Sequence, residues 1–192
     1  MKLGEMKKKV LSLIEEIDTT KPSLTNDPDI ASKLNYVINQ IQYELSRVKK
    51  IPDYVEIGVT NGDLIRLEDI KDDTGYEVYQ LDVVKGINYE YKAQGTIIKC
   101  LEDGTAEIEY FRYPKRIDET TQDTYQFELS SDVLECMPYG VAADLLKSDV
   151  SNAYGNIYAQ RYEQMKQQLD IRYNTGSIEF EEGMSVWVQV EV

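Results

Sequence analysis

Apolar positions recur at two different periods along the chain, and the change between them marks its organisation. Leu3, Met6, Val10, Leu13, Ile14 and Ile17 are spaced by three and four, the stripe of an amphipathic helix over residues 3–17. "TTKPSLTNDPD" breaks that pattern with two prolines and several capping residues. Asp27 before Pro28 predicts a new helix start with proline in the first turn. Ile30, Leu34, Val37, Ile38, Ile41, Leu45 and Val48 then line one side of a helix over residues 29–48, and Pro52 marks its exit.

From Tyr54 to Leu129 the period shortens. "YVEIGVT", "DLIRL", "YEVYQLDVV", "YEYKAQGTIIKCL", "TAEIEYFRYP" and "YQFEL" are short strand-like runs. Turn signals separate them at Asn61-Gly62, Asp73-Thr74-Gly75 and Asp103-Gly104. Such a series predicts an antiparallel sheet or small barrel. Glu107 and Glu109 alternate with Ala106, Ile108 and Tyr110, so one face there is buried and the other wet. The helical period returns at Ser131, with Val133, Leu134, Met137, Val141, Leu145 and Leu146. Pro138 is expected to kink this helix or start its second part. After the cap-rich "KSDVSN", Val150, Tyr154, Ile157, Tyr158, Met165 and Leu169 mark a last long helix, closed by "NTGS".

The expected fold is therefore α+β. About four helices form an antiparallel bundle, an antiparallel β-module is inserted between helices two and three, and a C-terminal extended strand follows. The expected divisions are residues 1–52 (N-terminal helical pair), 53–129 (β insertion), 130–173 (C-terminal helical pair packing on the first) and 174–192 (an extended arm).

The arm, "GSIEFEEGMSVWVQVEV", alternates Val186, Val188, Val190 and Val192 with Trp187, Gln189 and Glu191. A strand leaves backbone groups unpaired unless another lies beside it. Flexible turn residues precede this one, and it holds the one tryptophan, a residue enriched in binding hot spots. Ile178, Phe180, Met184, Val186, Trp187, Val188 and Val190 are thus candidate partner-binding residues, with strand addition to another chain as the mode. The alternative is that the arm folds back as an edge strand of its own β-module.

Composition narrows the chemistry. The net charge of −14 is unevenly spread: +2 over residues 1–50, −10 over 51–130 and −6 over 131–192. So acidic a surface repels phosphate backbones, and grasping nucleic acid is not expected, although an acidic channel wall would let DNA slide past. No apolar run is long enough to span a membrane, and acidic residues interrupt the N-terminal stretch, which reads as a helix and not a secretion signal. Cys100 and Cys136 are expected as reduced thiols. There is no histidine, which removes Ser-His-Asp and Cys-His catalysis and the usual zinc sites. The close carboxylates of "DPDI" and "DDTG" fit turn and cap chemistry better than a hydrolytic pair or a metal site. Cys136 sits on an apolar stripe and reads as core. Fifteen tyrosines against three phenylalanines suit both strand faces and interfaces. No catalytic, metal or cofactor residue is assigned.

Three stretches carry a resemblance: the helix "DPDIASKLNYVINQIQYELSRVKKIP" with Asn39; "GTAEIEYFRYPKRID", a strand leading to a proline and a turn; and the helix pair "ELSSDVLECMPYGVAADLLKSDVSNAYGNIYAQRYEQM" with Pro138, Tyr139, Val141, Ala142, Asp149, Arg161, Tyr162 and Glu163. Together they resemble head–tail connector (adaptor or neck) proteins of tailed bacteriophages. The β-module is larger than in the simplest, mostly helical connectors. The resemblance implies a homo-oligomeric ring, commonly dodecameric, in the virion neck between capsid and tail. It implies partners in the portal protein and in tail, stopper or other neck proteins. It also implies a channel that passes DNA without binding it specifically, no membrane, no cofactor and no enzymatic activity. The competing expectations are a small carboxylate-dependent hydrolase of the particle and a monomeric binding module.

Overall fold

The computed structural model describes residues 1–92, 96–148 and 153–171. Among them the fold is mixed α+β, with five helices and two small antiparallel sheets. Helix α1 spans Leu3–Leu13 and buries Leu3, Met6, Val10 and Leu11 completely. It stops short of the expected residue 17 because the chain turns at Glu15, whose φ is +61°. Beyond it Asp18 folds the loop on itself: Thr20 N donates to Asp18 Oδ1 at 2.9 Å, and Asp18 N donates to the Leu24 carbonyl at 2.8 Å. Aspartate side chains compete with helix in this way. Helix α2, Pro28–Val48, starts where expected. Asp27 Oδ1 accepts from Asp29 N at 2.8 Å and Ile30 N at 3.3 Å, a cap that contributes about 1 kcal/mol.

The strands are β1 (Ile51–Val59), β2 (Leu64–Arg66), β3 (Val78–Lys85), β4 (Tyr89–Lys92), β5 (Ile97–Cys100) and β6 (Gly104–Arg112). They form two three-stranded sheets, ordered β1-β6-β3 and β2-β5-β4. Three expectations need correction. "DLIRL" yields only the short β2, and the chain then enters helix α3, Leu67–Thr74. Asp69 opens that helix by accepting from Arg66 N at 2.7 Å, and Gly75 closes it with a φ of +75° that a side chain would strain. "DDTG" is thus the end of a helix as well as a turn. The run from Tyr89 to Leu101 is two paired strands and not one. "YQFEL" forms no strand: Gln126 makes one isolated bridge to Lys2, and Leu3 N donates to the Tyr125 carbonyl at 2.8 Å.

Helix α4 spans Ser131–Leu145 without interruption at Pro138, followed by a 3-10 turn at Leu146–Ser148, and α5 spans Ala153–Ile171. Pro138 therefore does not start a second helix. Cys136, Met137, Val141 and Ala142 are fully buried around it, so packing on all sides holds the helix together. Gly140 lets α5 approach: a Cβ there would lie 2.7 Å from a ring carbon of Tyr162.

Two apolar cores result. Helices α1, α2, α4 and α5 share the larger, and β1 to β6 with α3 share the smaller. Ile117, Phe127 and Leu129 fall inside the stretch expected as β insertion, yet they are buried in the helical core.

Candidate assembly surfaces

The residues proposed for partner binding, Ile178, Phe180, Met184, Val186, Trp187, Val188 and Val190, lie outside the described residues. The described chain ends at Ile171, the last residue of α5. Two of the three stretches that carry the family resemblance meet here. Asn39 faces Ile117 after β6: its Nδ2 donates to the Ile117 carbonyl, and its Oδ1 accepts from Ile117 N at 2.9 Å. Gln42 Nε2 donates to Asn39 Oδ1 at 2.8 Å and to the Lys115 carbonyl at 3.2 Å. Both side chains are buried. One helix face thereby satisfies the backbone of an irregular segment that would otherwise lose its hydrogen bonds on burial. Asn39 could be singled out by its resemblance. Gln42, three residues on and on the same face, left no signal beyond being a polar residue near an apolar stripe.

Two further clusters tie the sheet β1-β6-β3 to its surroundings, one to α2 and one to the segment that leads into α4. Tyr43, Tyr79 and Tyr113 stack with both neighbouring centroids at 4.8 Å. Arg47 Nε donates to Tyr113 Oη at 2.6 Å, and Tyr79 Oη donates to the Ser46 carbonyl at 2.9 Å. Burial pushes the Tyr79 phenol up to about 12, so it stays protonated and donating. Nearby, Arg112 Nε donates to Asp53 Oδ2 at 2.7 Å and Nη1 to Glu128 Oε2 at 2.8 Å, with the guanidinium 3.8 Å over the Tyr76 ring. Aromatic stacking and forked, charge-assisted bonds resist shear. The tyrosine excess therefore goes partly to this internal joint. Tyr36 and Tyr54 are 67% and 63% exposed and remain available to a partner.

The groups considered for chemistry fall elsewhere. Asp27 caps α2, and Asp29 pairs with Lys33 at 2.6 Å. Burial pushes the Cys136 thiol up to about 12, and its Sγ lies 3.7 Å from the Tyr162 carbonyl, to which it donates. A thiol so protonated is a poor nucleophile. Cys100 is also buried and free. Among the described residues no three His, Cys, Asp or Glu side chains gather as a metal-holding group. An acidic hollow of about 270 Å³ on the wet face of β1-β6-β3 is lined by Asp53, Asp82, Glu107 and Glu109. Within it Asp53 is bound by Arg112, and Glu109 is paired with Lys85. Among the described residues no helix is long and apolar enough to cross a membrane.

The sheet edges differ. Strand β1 pairs with β6 in unbroken register from Ile51 to Val59, and its other edge has no strand beside it among the described residues. Strand β3, at the opposite edge, has two register irregularities and packs against α3. Comparison with protein-family models and with curated proteins gave no match.

Proposed function

We propose that this chain is a ring-forming head–tail connector subunit, joining the portal of a tailed-phage capsid to the tail and extending the DNA channel. In this reading the helices α1, α2, α4 and α5 form a bundle that builds the ring wall, and residues 51–112 project from it as the β insertion. The arm leaves the bundle to pair with another chain, the portal or a neighbouring subunit. The observation that carries the reading is that the sheet β1-β6-β3 is left open along β1 among the described residues. Such a body is completed by another chain and not by a small substrate. The acidic wet face, with Asp82, Glu107 and Glu109, suits a wall that DNA passes without adhering.

The test is co-assembly. Purified chain mixed with the portal of its particle should give capped rings in negative-stain images and one large stoichiometric species in native mass spectrometry. Duplex DNA should bind negligibly at moderate salt. A chain that ignores the portal, or that binds DNA tightly with steep salt dependence, defeats the reading.

A further inference from the structure

We infer that the free edge of β1 is the acceptor for residues 184–192 of a second copy, so that ring neighbours are joined by an intermolecular strand. This rests on the connector reading and names the contact between adjacent subunits.

The first observation is which backbone groups of β1 face away from β6. Pro52 has no N–H, and Tyr54 N donates to Asp53 Oδ1 at 3.0 Å and not to β6. In an antiparallel pair, alternate residues turn their N–H and C=O to opposite edges. Tyr54, Glu56 and Gly58 therefore direct their backbone groups away from β6. The edge is straight over nine residues, the condition that invites pairing, whereas bulges and a covering helix protect β3.

The second observation is that the smaller core is unfinished on this side. Val55 and Ile57 pack against it but stay half-exposed, while Ala106 and Ile108 on the next strand are fully buried. An added strand with valines on one face would cover Val55 and Ile57. Residues 184–192 offer that face in Val186, Val188 and Val190, over the same nine-residue length as β1. Their other face would bring Trp187 beside exposed Tyr54, a cross-strand aromatic pair.

The third observation concerns reach. Tyr162 on α5 packs on Gly140 of α4, and Gly155 lies beside Leu146, so the two helices are antiparallel. The start of α4 is tied to the end of α2 by Lys49 and Asp132 at 2.6 Å. Helix α5 thus ends at the end of the helical layer where β1 begins. To pair antiparallel with its own β1, the chain must run the strand's length of roughly 30 Å and turn back. Residues 172–183 span at most about 40 Å fully extended, so little slack remains. Parallel pairing would have no counterpart in two wholly antiparallel sheets. A neighbour's β1 needs no reversal. Donor and acceptor are different surfaces of one chain, so the contact is heterologous and closes into a ring when the rotation permits.

The experiment uses the full chain and two blocking variants. Glu56→Pro removes an outward N–H and spares the ladder to β6, as proline does on edge strands; Tyr54→Pro serves if Glu56→Pro does not fold. Val188→Pro blocks the donor segment. Native mass spectrometry, alone and on the portal, should show the wild type as a large species and each variant as a monomer. An equimolar mixture of the two variants should give one-to-one dimers and nothing larger, because one intact edge and one intact segment remain. If both variants assemble like the wild type, the inference falls while the ring reading stands. If the wild type is a monomer whose β1 amides lose exchange protection in Val188→Pro, the segment pairs within its own chain and the inference falls. A wild type that assembles neither alone nor on the portal defeats both.

Discussion

The helical core and the strand core differ in what borders them: side chains of neighbouring helices in one, and in the other a strand, β1, with no strand on its outer edge among the described residues. In the helical core Leu3, Met6, Val10, Leu11, Ile38, Leu45, Val133 and Met137 are all fully buried. Even its polar members, Asn39, Gln42 and Ser46, have partners within the fold. In the strand core Ile70, Ile98, Ile108 and Ala106 are fully buried, and both cores carry a half-buried apolar rim, with Val48, Tyr139, Leu145, Tyr158 and Met165 among the helices and Val55, Ile57, Leu67, Val78 and Tyr89 among the strands. In the helical core burial and hydrogen bonding largely coincide, although Gln42 Oε1 and Ser130 Oγ are buried without a hydrogen-bond partner among the described residues. In the strand core, the outer edge of β1 meets no strand among the described residues. The difference lies in the backbone edge along β1, where an added strand would find partners.

The largest expected effect tests that contrast directly. Met137→Ala should destabilise the isolated chain by about 4 kcal/mol, since it empties a fully enclosed site that neighbours refill poorly. Ile57→Ala should cost only about 1 kcal/mol, because part of that side chain already meets water. Denaturant melts of the monomer measure both. Equal losses would show that the β1 rim is as closed as the helical core. In assembled rings the Ile57→Ala cost should rise, since a covering strand would then bury the site.

The next effect concerns the joint. Asn39→Ala should cost about 2 to 3 kcal/mol, because the N–H and C=O of Ile117 would be left buried without partners. Hydrogen exchange should speed at Ile117 while β6 itself stays protected. A loss near zero with unchanged exchange would mean that water replaces the amide and that the clamp is not what seats this segment.

Much of the element pattern was legible in the sequence. The 3.6 period located α1, α2, α4 and α5, and the Asp27-Pro28 start of α2 was read from cap chemistry alone. What local pattern could not supply was partnership. The amphipathic "LEDIKDDT" is too short to outweigh its strand-like surroundings, and only its Asp69 capping contact and Gly75 reveal it as a helix. "YQFEL" alternates like strand, but Phe127 and Leu129 belong to the helical core, and Leu3 N at the start of α1 donates to the Tyr125 carbonyl in place of a strand neighbour. The proposed assembly surface divided in the same way. The valine alternation of residues 186–192 was visible, and so was the β1 run itself. That β1 lies at an edge depends on strand order, which follows from long-range pairing and not from either segment.

The smallest effect lies on β1 itself. Glu56 is directly opposite Glu107 across the β1–β6 pair, an arrangement that costs a few tenths of a kcal/mol through like-charge repulsion. Glu56 is exposed, so the penalty is screened by solvent and salt. A charge in the middle of a bare edge is also a guard against indiscriminate pairing. Replacing it should therefore separate monomer stability from solubility. Glu56→Thr should raise the stability of the isolated chain by about 0.5 kcal/mol, through lost repulsion and better strand propensity. The same variant should lower the protein concentration at which irregular aggregates form, read by light scattering at low salt. In the helical core, which exposes no such edge, an equally small stabilisation should leave that concentration unchanged. If Glu56→Thr is more stable and no less soluble, β1 is already covered in the free chain, and the difference between the two regions is one of degree of packing alone.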